Sequence, residues 1–237
     1  MTSYIHKNLK YLFTSRESTV EHISNTTGIV SNDLVNYLEG NMTPDVNAAL
    51  LMADFFNVPI ELLLTQDIEK KEKIGDTFDF KFLVLDIDGV MTDGGIIYTE
   101  AGDEIKKFNA KDGLAIIRLT GAGIKVGFLS SGFSSKMIEK RAKVLGVQYI
   151  YVGTWKKLEI LEKWCQELNI GMENVAYIGD DINDMAIIEK VGLSACPSDA
   201  TSLIKKKVNI ILSAKGGHSC VREFVDNYLN SHTKNPF

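Results

Sequence analysis

From Phe80 onward, short apolar runs alternate with helical patterns, and this alternation constrains the fold more than any other feature of the chain. Phe82-Leu83-Val84-Leu85 is a continuous aliphatic and aromatic run that stops at Asp86. It reads as a strand buried on both faces, the signature of a parallel sheet. Similar runs follow at 126–129, 149–152, 175–178 and 208–212, with helical patterns at 112–120, 134–145, 156–168 and 184–190 between them. Strand and helix alternating at this spacing predict an α/β domain with a mainly parallel sheet. Between Asp93 and Phe108, Gly94-Gly95 starts Ile96-Ile97-Tyr98, and Ala101-Gly102-Asp103 turns the chain back. That predicts a β-hairpin over 94–107, protruding after the first strand.

The first 66 residues have a different texture. Leu9, Leu12 and Phe13 form one helical stripe, Val20 and Ile23 a second that ends near Gly28, and Leu34, Val35 and Leu38 a third between Ser31 and Gly40. Ala48 to Phe56 and Ile60 to Leu64 complete a set of short helices. The expected organisation is an all-α domain over 1–68, a linker over 69–77 that includes Glu69-Lys70-Lys71-Glu72-Lys73, and an α/β domain over 78–237. The 237 residues are 45% hydrophobic and 24% charged, an ordinary globular composition. No run of 18 apolar residues suggests a membrane span, and the N-terminus lacks the apolar stretch of a signal peptide. Cys165, Cys196 and Cys220 are odd in number and far apart, so neither a disulfide framework nor a metal knuckle is expected. A reducing cytoplasm is the expected location.

Two acidic clusters abut apolar strands. Asp86-Ile87-Asp88-Gly89 follows the first, and Gly179-Asp180-Asp181-Ile182-Asn183-Asp184 follows 175–178. Open α/β sheets bind ligands at the carboxyl ends of their strands, so both clusters are expected at one site. Their oxygens suit a hard cation such as Mg²⁺. Ser130 closes the strand 126–129, and Lys157 lies early in the helix after Val152-Gly153. A hydroxyl and an ammonium beside two carboxylate clusters make a site for a phosphoryl group, which one carboxylate can attack.

These residues, in this order, resemble the haloacid dehalogenase superfamily, and within it the small capless phosphatases of octulosonate 8-phosphate and nonulosonate 9-phosphate. The resemblance rests on Asp86-Ile87-Asp88-Gly89-Val90-Met91-Thr92-Asp93-Gly94-Gly95, Lys107-Phe108-Asn109-Ala110-Lys111-Asp112-Gly113 and Arg141-Ala142-Lys143-Val144-Leu145-Gly146. Tyr177 through Asp184, Gly216-Gly217 and Val221-Arg222-Glu223 continue it. It implies a Rossmann-like sheet and Mg²⁺-dependent hydrolysis of an acidic 2-keto-3-deoxy sugar phosphate. It implies Asp86 as nucleophile, Asp88 as acid and base, and Ser130 and Lys157 on the phosphoryl group. Asp86, Asp88 and Asp180 are implied at the metal, with Asp181 and Asp184 in or behind its shell. Lys111 and Arg222 are candidates for the sugar carboxylate. The family's strand-end hydroxyl is followed by Gly, whereas this chain has Ser130-Ser131-Gly132-Phe133. Counting along the strand selects Ser130, and anchoring on Gly132 selects Ser131; Ser130 is preferred. The resemblance further implies a homo-tetramer with the hairpin reaching a neighbour, and a place in lipopolysaccharide or sialic acid-like sugar biosynthesis.

Residues 5–66 resemble a helix-turn-helix domain of the Cro and lambda-repressor type, with 19–26 and 31–38 as its second and third helices. Its charge speaks against DNA. Residues 1–66 hold three basic and seven acidic residues, −4, and the remainder 23 against 24. The third helix, Ser31 to Glu39, has no Lys or Arg, and phosphate contact supplies much of protein–DNA affinity. Assembly or partner contact is therefore expected over operator binding. The competing readings of the whole chain are a DNA-binding regulator that senses a sugar phosphate, and a structural partner of a nucleotide-sugar synthesis enzyme. The full set Asp86, Asp88, Ser130, Lys157 and Asp180 favours catalysis, because a sensor has no use for an acid–base aspartate.

Overall fold

The central strand is β1 (Phe82–Leu85), whose four side chains are all fully buried. It lies between β4 (Lys125–Ser130) and β6 (Val175–Ile178), parallel to both. The computed structural model describes residues 4–65, 67–69, 78–132, 135–154 and 156–229. The chain divides into two units, residues 1–76 and 77–237. The expected linker lies, from residue 70, outside the described residues.

In the second unit the sheet runs β5 (Tyr149–Val152), β4, β1, β6, β7 (Leu193–Cys196), β8 (Ile210–Ile211), every pair parallel. The helices between strands are α6 (Ala110–Gly121), α7 (Ser135–Leu145), α8 (Lys157–Leu168), α9 (Met185–Ile188) and α10 (Ser202–Lys205), with α11 (Cys220–Tyr228) last. β2 (Ile97–Tyr98) and β3 (Glu104–Ile105) form the separate antiparallel hairpin. Within the chain its Ile96, Ile97 and Tyr98 are more than half exposed, at 62%, 55% and 65%. From β1 the chain winds to one side through β4 and β5, then returns to the other side at β6. The winding thus reverses between β1 and β6, where doubly wound sheets open a crevice for ligands.

One strand escaped sequence reading. β7 is Leu193-Ser194-Ala195-Cys196, whose mixed residues do not look like a buried run. The polar member is satisfied internally: the Ser194 N–H and hydroxyl both donate to Asn209 Oδ1, at 2.8 and 2.9 Å. The Asn209 N–H in turn donates to Ser194 Oγ. This exchange sits where the expected strand 208–212 would begin, and β8 is correspondingly only Ile210–Ile211.

The first unit consists, among the described residues, of α1 (Ile5–Ser15), α2 (Val20–Thr27), α3 (Ser31–Glu39), α4 (Val46–Phe55) and α5 (Ile60–Thr65). Thr19 caps α2 through the His22 N–H, and Asp45 caps α4 through the Ala48 N–H. Ile5, Leu9, Leu12, Ile23, Leu34, Met52 and Leu63 make its core. Buried Asn8 locks α1 to the end of α5, donating to the Leu63 carbonyl at 2.9 Å and accepting from the Ile68 N–H at 3.0 Å. No helix among the described residues is long and apolar enough to cross a membrane.

Candidate active site

Asp86 stands one residue beyond β1, and its N–H donates to the carbonyl of Ile178 at the end of β6. Two hydrogen bonds aim its carboxylate. Oδ1 accepts from the Ile87 N–H at 2.7 Å and from Lys157 Nζ at 2.9 Å. Lys157, on the first residue of α8, reaches in from the strand-end side and is only 2% exposed. It also donates to Asp184 Oδ1 at 2.7 Å.

Asp184 is fully buried and fully used. Oδ1 accepts from Lys157 and from the Tyr177 hydroxyl, the latter at 2.6 Å. Oδ2 accepts from the N–H groups of Asp180 and Asp181 at 2.9 and 3.4 Å. With both oxygens engaged, Asp184 shapes the turn after β6 and fixes Lys157. The Asp181 carboxylate turns outward to cap a short 3-10 turn, accepting from the Ile182 N–H at 2.7 Å. Asp86, Asp180 and Asp184 each offer an oxygen within 4.8 Å of the others.

The turn carrying Asp88 is threaded close to this group. Gly89 adopts a left-handed φ of 88°, and a Cβ on it would lie 2.1 Å from Asp180 Oδ2. Only glycine meets both demands. From the other side, Gly216 and Gly217 press on the same turn. A Cβ on Gly216 would lie 1.9 Å from the Gly89 carbonyl oxygen, and the Gly217 N–H donates to the Val90 carbonyl. The glycine pair near the end of the α/β unit is therefore a floor for the acidic turn.

Asp88 is half-exposed. Its Oδ1 accepts from Lys106 Nζ at 2.6 Å, and Lys106 also pairs with Glu104 at 2.5 Å. Burial works against the charge of Lys106, but its bonds to Asp88 and Glu104 prevail and hold it above the ordinary lysine range. Ser130 is buried at the end of β4, where its Oγ accepts from the Gly132 N–H at 3.0 Å. A Cβ on Gly132 would lie 3.1 Å from Ser130 Oγ and 3.4 Å from Asp88 Oδ2, so both face the same small volume. The neighbouring Ser131 is half-buried and accepts from Asn183 Nδ2 at 3.3 Å.

The expected sugar contacts sit apart from this pattern of bonds. Arg222 is spent on Asp226, four residues on along α11. Lys111 is exposed in the first turn of α6. Lys106 and Tyr177 are the residues that sequence reasoning missed. Glu104 and Lys106 are two apart after a turn, so a strand would put opposite charges on one face, and that was the available signal.

Two buried carboxylates, Asp86 and Asp184, and the half-buried Asp180 share one ammonium. Burial and the charge of Asp184 push Asp86 well above the usual carboxylate range, against the pull of Lys157. Burial, then Asp184 and Asp181, push Asp180 up to about 7. Lys157 itself is raised, because Asp86 and Asp184 together outweigh the penalty of burial. The excess negative charge and the all-oxygen donor set fit a hard divalent cation at Asp86 and Asp180.

A sign follows for stability. A carboxyl raised in the folded state binds more protons there than when unfolded, so stability falls as pH rises from about 4 to about 7. Without divalent cations, Asp180→Asn should therefore melt several degrees above the unsubstituted protein at pH 8 and close to it at pH 5. Mg²⁺ should raise the melting temperature of the unsubstituted protein at pH 8 and do little for the variant. Melting curves in chelator and in Mg²⁺ at the two pH values decide this; a pH-independent difference would contradict it.

Residues 145–221 match the family of haloacid dehalogenase-like hydrolases. The 3-deoxy-D-manno-octulosonate 8-phosphate phosphatase of Escherichia coli is 36% identical over 156 residues, which cover 66% of this chain and 82% of that one. The phosphatase of the same name from Yersinia pestis is 37% identical over 66% of this chain and 83% of its own. Among solved structures, a probable phosphatase from Pseudomonas syringae aligns with a TM-score of 0.65 at 36% identity, over 69% of this chain and 91% of that one. The octulosonate 8-phosphate phosphatase of Moraxella catarrhalis, in complex with magnesium, phosphate and the sugar acid, aligns at 0.63 and 30% identity, over 69% and 91%. Sheet order, carboxylate cluster and these likenesses agree: the chain belongs to the haloacid dehalogenase superfamily of hydrolases, in the branch that holds these phosphatases.

Proposed function

We propose that the protein is a Mg²⁺-dependent phosphatase of an acidic 2-keto-3-deoxy sugar phosphate, an octulosonate 8-phosphate or a nonulosonate 9-phosphate. The observation that carries this is the buried Asp86–Lys157–Asp184 chain at the switch point, with Asp88 open beside it. Lys157 holds the Asp86 carboxylate still and favours its charged form, the one that attacks phosphorus. As the bond from phosphorus to Asp86 forms, the bond to the sugar oxygen breaks, and that oxygen takes a proton from Asp88. Water then attacks the phosphorus of the aspartyl phosphate and gives its proton to Asp88. The bond to Asp86 breaks and inorganic phosphate leaves. Ser130 contacts the phosphoryl oxygens, a role supported by its burial at the strand end and its shared volume with Asp88. Ser131, half-buried and paired with Asn183, is the less suited of the two. Asp86 and Asp180, with the Asp88 carbonyl, would hold the metal, which when bound offsets charge on the phosphoryl oxygens. Asp184 and Asp181 orient the turn behind it. Lys111 is the better candidate for the sugar carboxylate, since Arg222 has a partner already.

Phosphate release from the two acidic sugar phosphates and from glucose 6-phosphate, with Mg²⁺ and with chelator, tests this reading. Expected is turnover of at least one acidic substrate, at least ~10-fold better than glucose 6-phosphate and dependent on Mg²⁺, a margin that one recognised carboxylate supplies. Absence of turnover on all three would overturn it.

For residues 1–68 the helix-turn-helix-like reading is kept, put to assembly or partner contact rather than DNA. It is supported by the −4 charge of residues 1–66 and by the lack of Lys or Arg on α3. Exposed Val30 and Val35 at the start of and on α3, with Val46 opening α4, suit a protein surface better than a phosphate backbone.

A further inference from the structure

We infer that Lys106 is a positioning residue for the acid–base aspartate, holding one oxygen of Asp88 so that the other faces the reacting group. The inference rests on the phosphatase reading above and assigns a function to the hairpin strand that no motif marks.

Three observations carry it. Lys106 Nζ is 2.6 Å from Asp88 Oδ1, and its side chain is only 4% exposed although the hairpin around it is largely open to solvent. A lysine on an exposed hairpin ordinarily keeps its ammonium in water. This one is turned inward and satisfied there. Glu104, two residues earlier, pairs with the same ammonium at 2.5 Å and is itself mostly buried. The bridge Asp88–Lys106–Glu104 therefore ties the acid–base carboxylate to the hairpin by two charge-assisted bonds. Finally, Asp88 Oδ2 points toward Gly132 and Ser130, the side on which the phosphoryl group is placed. With Oδ1 tied, the carboxylate has one oxygen left for proton transfer and one orientation in which to use it.

Asp88 needs this restraint. It is half-exposed, with 36% of its side chain accessible, and its other bond is a 3.5 Å contact from the Thr92 hydroxyl. Free rotation would turn the proton-bearing oxygen out of reach, and a misplacement of about 1 Å costs on the order of 10²-fold in rate.

The test separates positioning from folding by varying the leaving group. An alkyl phosphate needs its leaving oxygen protonated, whereas 2,4-dinitrophenyl phosphate does not. In single-turnover reactions with Mg²⁺, Lys106→Met should cleave the acidic sugar phosphate at least ~10-fold more slowly than the unsubstituted enzyme. Its burst of dinitrophenolate should stay within about 3-fold, since that step takes no proton from Asp88. Lys106→Arg, which can still reach Asp88 and Glu104, should recover most of the sugar-phosphate rate. Equal losses on both substrates in Lys106→Met, or no recovery in Lys106→Arg, would overturn the assignment. An unsubstituted enzyme that cleaves neither substrate would instead overturn the phosphatase reading beneath it.

Discussion

Asp86→Asn will abolish phosphate release, by about 10⁴-fold or more in kcat, while leaving the fold intact. The size of the effect follows from chemistry, because an amide cannot form the acyl phosphate through which the reaction passes, and nucleophile losses of this order are usual. The intact fold follows from geometry. Asn keeps an oxygen to accept from the Ile87 N–H and from Lys157, and Lys157 retains Asp184 as counter-charge. Removing one of three crowded carboxylates also relieves repulsion, since Asp86 is held well above its ordinary range by burial and by Asp184. In chelator at pH 8 the variant should melt no lower than the unsubstituted protein. Phosphate release and a melting curve on the same preparation check both halves. Activity within about 10-fold of the unsubstituted level would remove Asp86 from the nucleophile's role.

The second large effect lies at Lys157. Lys157→Met should destabilise the α/β unit by about 3–5 kcal/mol, the usual result of taking one partner from a buried ion pair. Here the penalty falls on two groups, because Asp86 and fully buried Asp184 both lose their cation. Tyr177 and the N–H groups of Asp180 and Asp181 still bond Asp184, but none of them carries positive charge. Adding Asp184→Asn to Lys157→Met should restore a large part of the stability and none of the activity. Urea unfolding of the three proteins measures the coupling. A single variant as stable as the unsubstituted chain would show that Lys157 is not the counter-ion of this cluster.

What the sequence disclosed and what it hid divide along physical lines. Runs such as Phe82–Leu85 and Val175–Ile178 were legible because a strand buried on both faces has no polar residue to confuse the pattern. Leu193–Cys196 was not legible, because its buried Ser194 is satisfied by the Asn209 side chain, a partner that no local pattern announces. Asp86, Asp180 and Asp184 could be grouped from their position after two apolar strands, since parallel strands deliver their carboxyl ends to one edge. Tyr177 looked like another core aromatic, and only its hydroxyl, 2.6 Å from Asp184, gives it a second role. Lys106 comes to Asp88 because the hairpin doubles back, a distance effect that spacing does not encode. Arg222 shows the converse. Its residue type suited a sugar carboxylate, but Asp226 one turn along the helix had first claim.

The order of the strands also sets a timetable. β1 has no partner near it in the chain: Phe82 is paired with Lys125 on one side and Val175 on the other. On a ribosome the nucleophile's strand emerges early and stays without neighbours until those segments follow, and its acidic turn lacks a floor until Gly216 and Gly217 appear. The helices of residues 4–65 find all their partners, α1 on α3 and α5 included, within a segment made before Phe82, whereas β1 waits for strands made after it. During synthesis the helical unit is therefore made long before the active site is complete, and phosphatase activity waits for Gly216 and Gly217.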